Sequence, residues 1–284
     1  MNDKGVLYIA TREKYLKEAE KSAESLKKHN PDLPITLETC EKLTPTNGVF
    51  DSVIIRDDYR KDFEDSLLEY RHCLYDKTLF LDSDTYICDD VTDIFEMLDT
   101  YDIVGCYDPT RNGNVNHRHK SNVPESFPQI NTGVLAFNDN HSVYSLFESW
   151  RNTQDEIRDK IQANLNQPAF RIAVYNWDNS IGILPPEYNI RLGNVTGNLC
   201  FASGKIKIIH GRSALWNIED MAEYININDE ERVIINENFP PDIITRSDRA
   251  NVLSLADQLH WYMYKNGIKE GIKLPFSLIK EKIV

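Results

Sequence analysis

The chain has 284 residues, 32 Lys+Arg against 45 Asp+Glu, and a formal net charge of −13. With 41% hydrophobic and 27% charged residues it is composed like a globular protein, not a disordered one, and it is long enough for one large domain with an appendage. The acidic balance argues against a general nucleic-acid binder, which needs a basic face; a phosphate-bearing substrate would need local neutralisation, for which a bound divalent cation is the obvious means.

Gly5 to Ala10 (GVLYIA) reads as a buried strand, and the preceding residues carry no basic start followed by an apolar h-region, so a secretory signal is not expected. The strand opens into a helix with Tyr15, Leu16, Ala19, Ala23 and Leu26 at helical spacing, closed by Pro31 and Pro34. Strands follow at 34–39 and 51–55, then a polar helix over 62–73 and a strongly apolar strand at 77–81 that ends on Asp82-Ser83-Asp84. Asp90 reads as the N-cap of a short helix bearing Val91, Ile94, Phe95 and Leu98. A strand at 102–106 precedes a polar, locally basic stretch, 109–128, of a length that in compact domains is functional or disordered. Next come a strand at 132–138, a helix with Val143, Leu146, Phe147 and Trp150 on one face, and a short helix opened by Gln167-Pro168. A last strand, 205–209, runs into His210-Gly211. This alternation predicts an α/β domain over 1–213 with a mostly parallel sheet. The remainder, 214–284, reads as a helical extension, best over 248–265, with Asn-rich acidic linkers around 226–238 and Pro240-Pro241.

No apolar run approaches the roughly 20 residues that span a bilayer. Cys40, Cys73, Cys88, Cys106 and Cys200 are odd in number and contain no CxxC pair, which fits reduced thiols in a cytoplasmic protein.

Three clusters can carry chemistry. Asp82 and Asp84, at i and i+2 of an extended segment, would project together from the C-terminal end of a buried strand, where open α/β sheets bind ligands and where two carboxylates suit Mg²⁺ or Mn²⁺. His210 shares that strand-end setting; Gly211 beside it permits close backbone approach, and Arg212 adds a permanent cation shaped for phosphate oxygens. Asn131-Thr132-Gly133, at a strand entrance, offers short polar groups to a sugar's hydroxyls or makes an ordinary turn.

The ordered blocks KTLFLDSDTYICDDVTDIF, NTGVLAF, NQPAFR, LPPEYNIR and IKIIHG resemble the nucleotide-diphospho-sugar glycosyltransferases of the GT-A fold, in the glycogenin and bacterial galactosyltransferase-like group, family 8. The resemblance covers about residues 6–212 and implies roles. Asp82, Asp84 and His210 would hold Mn²⁺ or Mg²⁺, with Asp82 and Ser83 also facing the nucleotide. Tyr8, Ala10 and Thr11 would hold base and ribose. Asn131, Thr132 and Gly133 would face the donor sugar, Asp108 the sugar or acceptor, Gln167 the anomeric carbon, and Gly211, Arg212 and Arg71 the diphosphate. It implies transfer with retention from a UDP-sugar to a carbohydrate, lipid-linked glycan or protein acceptor.

Three positions depart from the family. Asn166-Gln167 stands where relatives have Asp-Gln, Arg212 is spaced differently from their phosphate-binding Lys, and Arg71 sits close before the Asp-x-Asp. Two other readings compete. Asp82 could be the nucleophile of a haloacid-dehalogenase-like phosphatase, or the domain could bind nucleotide sugar or glycan without transfer. The helical extension reads as a cap on the sheet domain or as an oligomer- or membrane-docking element through Trp261, Tyr262, Met263 and Tyr264.

Overall fold

The computed structural model describes residues 2–56, 75–108, 122–161, 166–191, 202, 204–212, 218–219, 222, 231–234 and 242–245. Contacts divide the chain into two compact units, Met1–Ala222 and Glu223–Val284.

The first unit is built on β1 (Asn2–Ala10), α1 (Glu13–His29), β2 (Ile35–Cys40), β3 (Ser52–Arg56), β4 (Tyr75–Leu81), β5 (Thr85–Ile87), α2 (Ile94–Met97), β6 (Ile103–Tyr107), β7 (Ile130–Asn138), α3 (His141–Ile161), α4 (Gln167–Tyr175), β8 (Ile181–Leu184), β9 (Ile190–Arg191) and β10 (Ile208–His210). Seven strands form one sheet in the order β3-β2-β1-β4-β7-β6-β8. Only β7 runs against its neighbours, β4 and β6; the other pairings are parallel. The expected mixed, mostly parallel α/β sheet is what forms.

Alternation along the buried strands separates two cores. Val6, Tyr8 and Ala10 join Leu79 and Leu81 beneath Leu16, Ala19, Ala23 and Leu26 of α1. On the opposite face Leu7, Phe80, Leu135 and Phe137 pack with Val143, Leu146, Phe147 and Trp150 of α3 and with Phe170 of α4. Trp150 is fully buried and its indole N–H donates to the Asn166 carbonyl at 2.8 Å, which seats the start of α4 against α3.

Asp90 does not cap α2 directly. Its carboxylate accepts from the Thr92 N–H at 2.8 Å, in the turn that leads into the helix, and the N-cap position is Asp93. Asn-x and Asp-x turns of this kind compete with helix caps for the same side chains. Cys40, Cys88 and Cys106 are free thiols, and burial pushes the Cys88 thiol up to about 12, so it is a poor nucleophile.

A second, three-stranded sheet has the order β5-β10-β9. Its register decides where the chemistry sits: His210 lies opposite Thr85 on one side and opposite Arg191 on the other. The Asp82-Ser83-Asp84 tripeptide is the short link between β4 of the large sheet and β5 of the small one.

In the second unit, β11 (Glu231–Ile234) and β12 (Asp242–Thr245) pair antiparallel. β11 falls where the sequence suggested a linker and β12 directly after Pro240-Pro241, with Val233 paired to Ile243 in the ladder. The helix expected over 248–265 and the Trp261–Tyr264 cluster lie outside the described residues, as do the helix expected over 62–73 and most of the 109–128 stretch.

Candidate functional site

The Asp-x-Asp residues are not extended. The Thr85 N–H donates to the Asp82 carbonyl at 3.2 Å, so the tripeptide is a tight turn, and the Asp82 N–H donates across to Gly133 O at 2.8 Å. The two carboxylates nevertheless converge, because both face His210. Nε2 of the imidazole is 3.4 Å from Asp82 Oδ2 and 3.4 Å from Asp84 Oδ1. One ligand atom from each of the three residues falls within 4.8 Å of the others. Two hard carboxylate oxygens and an imidazole nitrogen at such separations suit a divalent cation, so the residues fit the ion that the sequence suggested.

Two glycines permit this approach. A Cβ on Gly133 would lie 2.2 Å from His210 Cε1 and 2.4 Å from Asp82 Oδ2, so no side chain fits there. Gly211 has φ 109°, a region that disfavours every other residue, and its N–H donates to Asp84 O at 2.9 Å, locking β10 against the turn.

The charges are mutually supporting. Burial disfavours ionisation of Asp84, yet His210, Arg212 and Arg191 hold its carboxyl well below the usual carboxylate range. Burial and the Arg191 charge oppose protonation of His210, but the Asp84 and Asp82 carboxylates outweigh them and raise its pKa above the ordinary 6.5. His210 is almost fully enclosed, whereas the Asp82 side chain is 44% exposed, so the cluster opens to solvent on the Asp82 side.

Behind His210 runs a buried amide chain whose direction can be worked out from donors and acceptors alone. Asp108 is 3% exposed and accepts from Gln167 Nε2 at 2.7 Å and from Asn131 Nδ2 at 3.4 Å. Asn131 Nδ2 also donates to Gln167 Oε1 at 3.3 Å. A carboxylate only accepts, so both amides must turn their NH₂ groups towards it. Asn131 Oδ1 is then left to accept from Asn189 Nδ2 at 2.9 Å and from the Gly133 N–H at 3.0 Å. Asn189 Oδ1 in turn faces His210 Nδ1 at 3.0 Å. Nδ1 therefore carries the proton and Nε2 presents its lone pair to the aspartates when the ring is neutral.

The structure thus brings together Asp82, Asp84, His210, Gly133 and Gly211 at one end of this chain, and Asn131, Asp108 and Gln167 at the other. Thr132 stands alongside, its hydroxyl donating to Asn166 Oδ1 at 3.0 Å. Ser83 Oγ donates to Glu18 at 3.3 Å. Arg212 holds the same Glu18 through Nε at 2.8 Å and through Nη2, and its Nη1 is 3.1 Å from Asp84 Oδ2.

Tyr8 stands apart from this set. Its side chain is fully buried, its hydroxyl shares a 2.8 Å hydrogen bond with Ser22, and Ser22 shares one of 2.7 Å with Thr85. The phenol braces α1 against β5 inside the core, because position 8 falls on the face of β1 that α1 covers. Ala10 and Thr11 are at the strand end, also buried, with Ala10 O accepting from Thr39 Oγ1 at 2.7 Å. Arg71 lies outside the described residues.

Sequence reasoning missed Glu18, Asn189 and Arg191. Glu18 looks like any acidic residue on an exposed helix face. Asn189 and Arg191 occur within the LPPEYNIR block, one and three residues beyond the turn Pro186–Tyr188, and that position was the available signal.

No protein-family model matches the chain, and no curated protein matches it. Solved structures do. The galactosyltransferase LgtC in complex with donor and acceptor sugar analogues superposes with a TM-score of 0.51 at 14% identity, over 77% of this chain and 91% of that one. The glycosyltransferase GlyE of Streptococcus pneumoniae gives 0.54 at 18% identity, over 76% of this chain and 57% of that one. Mouse xyloside xylosyltransferase 1 gives 0.50 at 17% identity, over 74% and 98%. At these identities the likeness establishes the fold, which is the GT-A arrangement that the sequence blocks suggested. It does not favour the phosphatase reading, in which the Asp-x-Asp should follow the first strand; here it follows β4.

Proposed function

We propose that the chain is a metal-dependent glycosyltransferase that moves a sugar from a nucleotide-diphosphate donor, a UDP-sugar, to a hydroxyl acceptor on a carbohydrate, a lipid-linked glycan or a protein. The observation that carries this reading is the convergence of Asp82, Asp84 and His210 at the junction of the two sheets, in a fold shared with solved glycosyltransferases. Asp82, Asp84 and His210 would hold Mn²⁺ or Mg²⁺, and the imidazole in the donor set favours Mn²⁺. A cation bound there supplies Lewis-acid charge to the diphosphate leaving group.

The chain's own residues do the rest. Asn189 holds Nδ1–H of His210 and so aims Nε2 of the neutral ring at the aspartates, and the open flank at Asp82 would admit the donor. Ser83, Gly211, Ala10 and Thr11 would offer backbone and hydroxyl groups to the nucleotide, as the family resemblance implies. Asn131, Thr132 and Gly133 are the sugar-facing group. Asp108 and Gln167 are bonded to each other, and Gln167 Oε1, whose partner among the described residues is Asn131 at 3.3 Å, is the group we place near the anomeric carbon. Transfer proceeds with retention, as the family resemblance implies. The change from Asp to Asn at position 166 removes a negative charge there, and Asn166 instead accepts from Thr132.

The test is turnover and binding of UDP-sugars with and without Mn²⁺. Wild type is expected to bind donor and release UDP only with the metal. Asp84→Asn is expected to lose on the order of a hundredfold or more in turnover, the rate equivalent of several kcal/mol of lost charge stabilisation, with an unchanged circular dichroism spectrum. A wild type that binds no nucleotide sugar in any metal would sink the reading.

A further inference from the structure

Two guanidinium groups flank the cluster, Arg212 on a carboxylate and Arg191 on the imidazole. Arg212 is satisfied by protein: Glu18 takes Nε and Nη2, Asp84 takes Nη1 at 3.1 Å, and the group lies over the Tyr15 ring at 5.5 Å. An Arg held bidentate by a carboxylate already has the partner that a phosphate would offer it. Arg191 is different. Its Nη1 lies 2.8 Å from His210 Nε2 and 3.0 Å from Nδ1, and among the described residues no carboxylate comes within 4.0 Å of it. Nδ1 is already committed to Asn189, so the remaining acceptor for Arg191 is the Nε2 lone pair. A neutral imidazole is a weak partner for a guanidinium, and Arg191 is half-exposed.

We propose that Arg191, and not Arg212, is the cation of this site that binds phosphate oxygens, while Arg212 is a clamp that fastens α1 to the end of β10. This rests on the reading of the site as one for a nucleoside diphosphate with a divalent cation. Arg191 is bonded to the same nitrogen that a metal needs. A cation that binds Asp82, Asp84 and His210 displaces the guanidinium and is then repelled by it, unless an anion arrives to take the displaced group. Arg191 thereby makes metal binding weak alone and strong together with a diphosphate, so that the two ligands load as a pair.

The proposal is checked by calorimetric titration of wild type, Arg191→Ala, Arg191→Lys and Arg212→Ala, each first confirmed folded by circular dichroism. Titrated with Mn²⁺ alone, Arg191→Ala is expected to bind the ion about three- to tenfold more tightly than wild type, the effect of removing one nearby like charge. Titrated with UDP at saturating Mn²⁺, it is expected to bind about ten- to a hundredfold more weakly, through loss of a charge-assisted hydrogen bond. Arg191→Lys should keep most of the UDP affinity. Arg212→Ala should lower the melting temperature and weaken UDP less than Arg191→Ala does. Unchanged or weaker Mn²⁺ binding in Arg191→Ala overturns the proposal, as does unchanged anion binding. Pyrophosphate serves as a parallel probe. If wild type binds pyrophosphate through Arg191 but not UDP, the inference about Arg191 stands and the nucleotide-donor reading falls.

Discussion

At the ends of β4 and β10, Asp82, Asp84, His210, Arg191 and Arg212 put five ionisable groups in mutual contact, with the Asp82 side chain 44% exposed. One strand over, at β6 and β7, Asp108, Asn131 and Gln167 form a cluster no more than 6% exposed, in which amides surround a single carboxylate. The charged half has partners that can be exchanged for ligands, because solvent and counter-charges can replace one another there at modest cost. The amide half has bonds that cannot be exchanged without leaving a buried polar group unmet. The Asn189 side chain bonds to both, to Asn131 on one side and to His210 on the other. The difference shows a division of labour: rigid, neutral groups fix the orientation of an imidazole, and that imidazole presents itself to a region built to change partners.

Breaking the link should have the largest effect. Asn189→Ala leaves Asn131 Oδ1 and His210 Nδ1 without their shared partner, and Mn²⁺ affinity by titration is expected to fall about ten- to a hundredfold, the usual consequence of removing a group that orients a ligating histidine. Equal affinity in the mutant would mean that the two halves act independently.

Proton competition sharpens the comparison next. The pKa of His210 is raised by the Asp pair, so its proton stabilises the metal-free fold at low pH, and that contribution is lost as pH rises through the raised value. Metal binding needs the neutral ring, so Mn²⁺ affinity should climb by about tenfold per pH unit while His210 is protonated and then level off. Urea midpoints of the metal-free protein should fall over the same interval. An Mn²⁺ affinity that does not vary with pH across the histidine range would remove His210 from the ligand set.

The smallest effect is expected in the core beneath α1. Tyr8→Phe removes the hydroxyl that Ser22 shares and should cost about 1 kcal/mol of stability by urea unfolding, with UDP affinity unchanged. Weaker UDP binding would bring the Tyr8–Ser22–Thr85 chain into the site.

Six of the seven strands of the large sheet were readable in the sequence because they are apolar runs between turn residues, the four-residue β8 being the exception, and Asp82, Asp84 and His210 stood out because they terminate such runs. The two aspartates nevertheless converge through a turn held by Thr85 N–H and Asp82 O, not through the strand alternation expected of positions i and i+2. Of the small sheet only β10 was readable, as the strand expected at 205–209. β5 has three residues and β9 two, too few for any periodicity, and their pairing with β10 depends on contacts far along the chain. Asn189 and Arg191 owe their places to that sheet, so they were hidden with it. Tyr8 enters the expected nucleotide site through the family resemblance alone, and nothing within β1, apolar on both faces, marks which side α1 will cover.

Because the tripeptide Asp82-Ser83-Asp84 joins the large sheet to the small one, the three ligand side chains cannot meet until both sheets exist. β5, β9 and β10 come from widely separated stretches, and pairings of such high sequence separation form late in folding, after the entropy of closing long loops has been met. Any ion held by Asp82, Asp84 and His210 would therefore find no partial site on a half-folded chain. The kinetics of metal uptake during refolding would report the last step of assembly, and an ion already present would not hasten the earlier ones but would slow unfolding, by holding shut the closure that opens first.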